Sequence, residues 1–223
     1  MSGTFGAGIA ALDADVAIDL ICFTAASARQ LLDALRPTRP LLVHCGTIWV
    51  HGPALRVPMT EDEPRTGYGE YGTGKVEIEA LLQRETRTGG VPAIVLHHVH
   101  ADDVAQAFEL ALSRPQAIGS SFHVVAEQAM TLRGLAAGVA QWFGREPVLD
   151  FVDWAEFEGR VGSEHAGATR EHTFRGIAAS IARARQTLGY APRFSSLDAL
   201  YEALAWLVAN GQADIGGQPF AGA

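Results

Sequence analysis

Residues 15–50 read DVAIDLICFTAASARQLLDALRPTRPLLVHCGTIWV, and this stretch contains two short apolar runs on either side of an amphipathic one. The apolar runs, DVAIDLICF (15–23) and PLLVHCGTIWV (40–50), are continuous rather than alternating, which is typical of buried parallel strands. Between them, ASARQLLDALR (26–36) has a helical pattern that Pro37 ends. The stretch therefore predicts a strand, a crossover helix and a second, parallel strand.

The same order of elements continues along the chain. A third apolar run, PAIVLHHV (92–99), predicts another buried strand, and a helical pattern precedes it after Tyr71. A helix over ADDVAQAFELALS (101–113) and a short strand over SSFHVV (120–125) follow. Because strands alternate with helices, we predict an α/β protein with a Rossmann-like parallel sheet.

After Ala126 the chain becomes mostly helical in pattern. Thr131 is placed to cap a helix over LRGLAAGVAQWF, and Gly144 to end it. The remaining predictions are a strand over PVLDFV (147–152), a mobile surface segment over 158–173, and helices over 178–188 and 196–210. We therefore divide the chain into a Rossmann-like domain (1–126) and a smaller α-rich lobe (127–223).

Charge and composition argue against several classes of protein. The formal net charge of −8 is unfavourable for binding nucleic acid, and 48% apolar residues are ordinary for a folded domain. Cys22 and Cys45 both fall in apolar runs, which fits a reducing compartment better than disulfide bonding. No signal-peptide pattern opens the sequence, and no apolar run is long enough to span a bilayer. We expect a soluble, cytoplasmic protein without nucleic-acid or membrane partners.

The segment GEYGTGKVEIEALL (69–82) places Tyr71 and Lys75 four residues apart at the start of a helix. Side chains at that spacing lie one turn apart on the same side of a helix. Gly72 and Gly74 lie between them, although each glycine costs a helix about 1 kcal/mol relative to alanine. By spacing alone, a surface pair of tyrosine and lysine is the commoner explanation.

A third polar residue is expected at the same place. Ligands of parallel sheets bind beyond the carboxyl ends of the strands, and Thr47 lies at that end of the second predicted strand. Thr47 could hold a substrate oxygen there while Tyr71 moves a proton. A tyrosine hydroxyl has an unperturbed pKa of about 10, which a nearby ammonium lowers. Lys75 supplies an ammonium at the required spacing.

Five segments in order resemble the extended short-chain dehydrogenase/reductases, the NAD-dependent epimerase/dehydratase family. YGTGK (71–75) resembles the family's Tyr-x-x-x-Lys motif, which is weak when found alone, and GTIWVHG (46–52) resembles the strand that carries its catalytic Ser/Thr. The other three segments are HVHADDVAQAFELAL (98–112), TLRGLAAGVAQWFGREP (131–147) and ARQTLGYAPRFSSLDALYEALAWL (184–207).

The resemblance implies a partial NAD(P)-binding domain over 1–126, a smaller substrate-binding lobe over 127–223, an active site and an activity. Tyr71 would be the general acid/base, Lys75 would stabilise the phenolate and hydrogen-bond the nicotinamide ribose, and Thr47 would orient the substrate oxygen. The adenosine-side ribose of the cofactor, NAD or NADP, would be flanked by four residues: Leu20, Ile21, Cys22 and Phe23. The implied protein is an oxidoreductase, epimerase or dehydratase that acts on a hydroxyl or carbonyl of a small molecule, for example a sugar nucleotide.

Two features depart from the family pattern. Family members open with a strand and a glycine-rich turn for the pyrophosphate, whereas GTFGAG (3–8) has no strand before it. The third strand also runs directly into the 101–113 helix near His97 and His98, where the family has a long substrate loop. The first half of the nucleotide-binding sheet is therefore expected to be missing. The alternative function is a catalytically inactive, truncated relative that serves as a scaffold or nucleotide-binding module, and a homo-oligomer is one form it could take.

The histidines of one segment and the thiol of Cys45 are further candidates for a site. HHVH (97–100) lacks a cysteine or acidic ligand at the spacing of a metal site, so no metal site is predicted. Cys45 has no base marked as its partner, so a buried structural thiol is favoured over a nucleophile.

Overall fold

The computed structural model describes residues 8, 9, 11–97, 100–218 and 220. The chain forms two compact units. The first comprises Met1–Glu127 and Ile177–Arg193, and the second comprises Gln128–Gly176 and Phe194–Ala223. No helix in the described part of the chain is long and apolar enough to cross a bilayer.

A four-stranded parallel sheet organises the first unit. Its strands lie in the order of the sequence: β1 (Val16–Asp19), β2 (Leu41–Cys45), β3 (Ala93–His97) and β4 (Ser121–His123). The register pairs Asp19 with His44, and His97 with His123. The predicted Rossmann-like α/β fold is confirmed.

The helices of the described residues are α1 (Ala25–Leu35), α2 (Gly69–Arg87), α3 (Ala101–Leu112), α4 (Leu132–Trp142), α5 (Trp154–Val161), α6 (Ser163–Thr173), α7 (Ala182–Leu188) and α8 (Ser196–Ala209). Short 3-10 turns cover Ile48–His51 and Pro115–Ala117. Most of these helices begin with a side chain that accepts a backbone N–H of the first turn. The Thr24 side chain accepts the Ser27 N–H, and the Thr131 side chain, predicted as a cap, accepts the Gly134 N–H.

Each face of the sheet packs against a different pair of helices. Successive residues of a strand point to opposite faces, so Leu42 and Val43 enter different cores. Leu42 belongs to a core with residues of α1 and α2, such as Leu32 and Ile78. Val43 belongs to a core with residues of α3 and α7. The first unit is therefore a three-layer helix–sheet–helix sandwich.

The first strand is shorter than predicted. The run 15–23 forms a strand only over Val16–Asp19. The Asp19 carboxylate accepts the backbone N–H groups of Ile21 and Cys22, both at 3.0 Å. These local hydrogen bonds replace a strand ladder, so the chain turns after Asp19.

The boundary between the units also differs from the sequence division at 126/127. The segment 177–193 belongs to the first unit, because α7 and Tyr190 pack into its core. Met59 of the first unit also binds this segment: its N–H donates to the Ala178 carbonyl, and its carbonyl accepts the Ser180 N–H. The apolar periodicity of a helix indicates which of its faces is buried, but it does not indicate against which unit that face packs.

The second unit is helical where the sequence suggested other structure. The predicted strand over 147–152 is not formed, and Val148 and Phe151 are largely exposed there. The segment 158–173, expected to be a mobile surface segment, is mostly helical and lies in α5 and α6. Its polarity reflects a solvent-facing helix, since Ala166 is the buried residue of α6.

Candidate active site

Lys75 ties helix α2 to the carboxyl ends of the first two strands. Its ammonium donates hydrogen bonds to the carbonyl of Cys22 at 2.7 Å and to that of Cys45 at 3.1 Å. Cys45 is the last residue of β2, and Cys22 lies in the turn after β1. Lys75 therefore lies at the edge of the sheet where parallel α/β proteins bind ligands.

The Lys75 ammonium is almost fully buried. Only 3% of the residue is exposed, and burial lowers the pKa of its ammonium. Its Nζ also lies 5.0 Å from the ring centroid of Phe23, which is a cation–π distance. Because an ammonium has three N–H donors, the two carbonyls leave one donor for a further acceptor.

Tyr71 lies one turn before Lys75 and remains accessible, with 38% of the residue exposed. Its ring meets that of Trp49 edge-on, with 5.7 Å between the centroids. It also lies 6.4 Å from the ring of Phe23 in a tilted arrangement. These contacts fix the Tyr71 ring beside the residues that follow β1 and β2.

Thr47 begins the 3-10 turn Ile48–His51 just after β2. The residue is 6% exposed, and its Oγ1 accepts the Trp49 N–H at 3.3 Å. A hydroxyl that accepts one hydrogen bond keeps its own proton for donation. Because Trp49 contacts the Tyr71 ring, the turn that Thr47 begins adjoins Tyr71.

The two glycines between Tyr71 and Lys75 let α2 approach this region closely. A Cβ on Gly72 would lie 2.9 Å from the carbonyl oxygen of Trp49, a contact that only glycine avoids. A Cβ on Gly74 would lie 3.5 Å from the carbonyl oxygen of Phe23, an ordinary contact. Gly72 is therefore required by packing, and its cost in helix propensity has a physical reason.

The residues proposed to flank the cofactor differ in exposure. Cys22 is buried at 6%, whereas its neighbours Leu20, Ile21 and Phe23 are more than half exposed. Cys22 contributes its backbone carbonyl to Lys75, so the exposed apolar surface beside Lys75 comes from its neighbours. Three large apolar side chains that face solvent at a strand end are typical of a ligand-binding edge.

Several solved structures share this arrangement of strands and helices. The terminal R domain from the myxalamid PKS-NRPS biosynthetic pathway superposes with a TM-score of 0.73 at 16% identity, over 96% of this chain and 72% of that chain. UDP-glucuronic acid 4-epimerase from Bacillus cereus, in complex with UDP-glucuronic acid and NAD, gives 0.69 at 15% identity, over 91% and 78%. A short-chain dehydrogenase/reductase superfamily protein from Agrobacterium tumefaciens with bound NAD gives 0.69 at 16% identity, over 93% and 85%. No protein-family model and no curated protein sequence matches the chain.

The chain has the fold of the extended short-chain dehydrogenase/reductases. The resemblance in the sequence is thus confirmed at the level of fold, and its functional residues remain predictions. Within this fold, the structure gathers Lys75, Tyr71 and the turn of Thr47 at the carboxyl ends of β1 and β2.

Other parts of the sequence interpretation lie outside the described residues. GTFGAG (3–8) is described only at Gly8, and His98 is not described. Of the HHVH segment (97–100), His97 ends β3, and the His100 side chain caps α3 by accepting the Asp102 N–H at 3.2 Å.

The structure of this short-chain dehydrogenase/reductase fold contains a buried ion pair that the sequence analysis missed. Glu79 is 1% exposed and binds the Arg65 guanidinium at 2.8 Å and the His97 ring at 2.8 Å. Burial raises the pKa of the Glu79 carboxyl, but His97 and Arg65 outweigh this effect and lower the pKa to about 2. The sequence offered one indication of this residue: Glu79 follows Lys75 by four residues, which places it one turn further along the same side of α2.

Neither cysteine of the chain has the properties of a nucleophile. Neither is in a disulfide, and burial raises the pKa of the Cys45 thiol and raises that of the Cys22 thiol to about 12. A protonated thiol is a poor nucleophile, so the geometry supports a structural role for both side chains.

Proposed function

We propose that this protein is an NAD(P)-dependent oxidoreductase of the epimerase or dehydratase type, which acts on a hydroxyl or carbonyl of a small molecule. One observation carries the proposal. A buried ammonium, Lys75, is held between the carboxyl ends of two parallel strands, one helical turn from the accessible phenol of Tyr71.

The residues at this edge fit a dinucleotide. Lys75 has a third N–H for a ribose hydroxyl, and the exposed side chains of Leu20, Ile21 and Phe23 offer an apolar surface beside it. NAD is bound in the structures of the epimerase and of the Agrobacterium protein that share the fold. When bound, NAD or NADP supplies hydride transfer.

The chain's own residues would handle the substrate oxygen and its proton. The Thr47 hydroxyl would hold the substrate oxygen, and the Tyr71 hydroxyl would exchange a proton with it as general acid and base. The Lys75 ammonium would stabilise the phenolate that forms when Tyr71 gives up its proton. Phe23 and Trp49 would keep the Tyr71 ring in place while the proton moves.

We propose that the second unit has a substrate-binding role. It contains a cavity of about 480 Å³ with a mainly apolar lining and three charged residues, Arg133, Asp150 and Asp153. A cavity of this size suits a small organic molecule. UDP-glucuronic acid is the ligand of one protein that shares the fold, which makes sugar nucleotides the first class to test.

The test is a matched pair of substitutions on one helix end. We expect Tyr71→Phe to lower turnover of a sugar nucleotide by about 100-fold or more, with the dissociation constant for NADH or NADPH within a few-fold of the wild type. Tyr68→Phe removes a hydroxyl next to the same helix and should leave turnover nearly unchanged. Lys75→Ala should weaken both turnover and cofactor binding.

The measurements are cofactor fluorescence titration and turnover of UDP-glucose and UDP-glucuronic acid. Turnover of Tyr71→Phe within a few-fold of the wild type would remove Tyr71 from the mechanism. A folded wild-type chain that binds neither NADH nor NADPH would instead favour the alternative of a catalytically inactive scaffold.

A further inference from the structure

Three buried histidines come together on the side of the sheet formed by β3 and β4. His51 ends the 3-10 turn after Thr47, His97 ends β3, and His123 ends β4. His97 and His123 occupy paired positions of neighbouring strands. One ring nitrogen from each of the three histidines can be chosen so that all lie within 4.8 Å of one another.

The hydrogen bonds of two of these rings determine which nitrogen carries a proton. The Nδ1 of His51 lies 3.1 Å from the carbonyl oxygen of Glu63, which can only accept, so this nitrogen is the N–H. The Nε2 of His97 lies 2.8 Å from Glu79, whose ionised carboxylate also only accepts. In neutral rings, the Nε2 of His51 and the Nδ1 of His97 are therefore lone-pair nitrogens.

One of these lone pairs has no partner within the protein. The Nδ1 of His97 is fully buried and makes no hydrogen bond to any described residue. The Nε2 of His51 lies 3.1 Å from the Nε2 of His123, so the two nitrogens share at most one proton. Buried polar atoms in proteins are nearly always satisfied, so an unpartnered nitrogen inside a histidine cluster points to a ligand.

The outer contacts of two of the three rings, His51 and His97, follow the pattern of metal-bound histidines, whereas the Nδ1 of His123 makes no hydrogen bond to a described residue. A metal-bound histidine usually donates its other N–H to a carboxylate or a backbone carbonyl, which sets the tautomer and orients the ring. Glu79 provides the carboxylate for His97, and the carbonyl of Glu63 serves His51. Arg65 neutralises part of the Glu79 charge, but Glu61 adds a second buried carboxylate that accepts the His123 backbone N–H at 2.9 Å.

We propose that His51, His97 and His123 form a binding site for one Zn²⁺ ion. Three imidazoles without a hard oxygen ligand favour zinc over magnesium or calcium. A three-histidine site leaves the fourth tetrahedral position for water or a small ligand. A cavity of about 160 Å³ borders His51 and Glu63, on one side of the cluster.

The bound ion would join three separate segments of the first unit. It would link the turn that Thr47 begins to the ends of β3 and β4. Because an ion that binds only the folded chain raises its stability by mass action, zinc should raise the melting temperature.

The first test uses the wild-type chain without a polyhistidine tag, after treatment with a chelator. We expect Co²⁺ to bind with a visible spectrum typical of tetrahedral coordination and to be displaced by one equivalent of Zn²⁺. The dissociation constant for Zn²⁺ should be below about 1 μM. A folded wild-type chain that shows no such spectrum and takes up no Zn²⁺ would overturn the proposal.

The second test compares matched substitutions by the same titration. His51→Gln and His97→Gln should each weaken Zn²⁺ binding by about 100-fold or more. His165→Gln changes an exposed histidine on α6 and should leave binding unchanged. Circular dichroism without metal checks that each variant folds. Equal Zn²⁺ affinity in folded His51→Gln, His97→Gln and wild type would show that the ion binds elsewhere.

Discussion

At the residue scale, two backbone segments approach closely at Gly72, beside the candidate active site. The carbonyl oxygen of Trp49 lies 2.9 Å from the position that a Cβ on Gly72 would take, whereas the space beside Gly74 accepts a methyl group. Both glycines lie in the first two turns of α2, so their helix propensities are comparable. Comparing alanine substitutions at Gly72 and Gly74 therefore distinguishes the effect of close packing from that of helix propensity.

We expect opposite effects of alanine at these two positions. Gly72→Ala should lower the free energy of unfolding by about 1–3 kcal/mol, because a backbone carbonyl cannot move away as a flexible side chain can. Gly74→Ala should raise it by up to about 1 kcal/mol through helix propensity. Urea denaturation of both variants measures the difference. Equal stabilities would show that α2 does not need its close approach to Trp49.

The residues of the candidate site were predictable to different degrees. Spacing alone favours a surface pair for Tyr71 and Lys75; the resemblance of the surrounding segments selects these two residues and Thr47, and their catalytic role remains a prediction. Glu79 could have been found in the sequence, because it follows Lys75 by four residues and so lies on the same side of α2. The grouping of His51 with His123 was not predictable, because it depends on strand register and on a turn that brings distant segments together.

At the element scale, a buried pair of polar side chains, Asp19 and His44, joins β1 to β2. The Asp19 carboxylate lies 2.7 Å from the Nδ1 of His44 at the end of the paired strands. Burial raises the pKa of the Asp19 carboxyl, but the His44 ring and the N–H of Ile21 outweigh it, so the pKa lies below its ordinary value. The ionised form of Asp19 is therefore bound more favourably in the folded state.

This shift predicts how stability depends on pH. A lowered pKa gives a contribution that is complete above the unfolded-state pKa of about 4 and is lost as the pH falls further. Asp19→Asn should therefore lower the free energy of unfolding by about 2 kcal/mol at pH 7, and the difference should shrink toward pH 3. Asp33→Asn, at an exposed pair with Arg36, should cost under about 1 kcal/mol. A difference for Asp19→Asn that is constant between pH 7 and pH 3 would contradict this account.

Element boundaries were less predictable than element types. The strands and the helices of the first 126 residues follow from apolar periodicity, but β1 ends early because Asp19 bonds the next backbone N–H groups. The segment 147–152 has a strand-like composition, yet a strand needs a neighbour for its hydrogen bonds. In the described residues of the second unit no strand is available to pair with it.

At the scale of the whole molecule, the two edges of the sheet differ. On β4, the backbone N–H of His123 is bonded by the Glu61 carboxylate. On β1, no strand among the described residues pairs with the outer edge. Ile18 on β1 is 52% exposed, and the apolar residues after it are also exposed. A mostly apolar strand edge of this kind, with Asp19 as its single charge, is a template for pairing with another chain.

We therefore expect a chain of these 223 residues alone to self-associate through β1. Sedimentation velocity should show dimers or larger species at micromolar concentration, and Ile18→Lys should shift them toward monomer because a charge on an edge strand opposes pairing. Leu12→Lys is the control, since Leu12 is 73% exposed but lies outside the strand, and it should leave the distribution unchanged. If the wild type is monomeric, or if both variants reduce association equally, the edge of β1 is not the contact. In the second case, general surface charge would explain the effect.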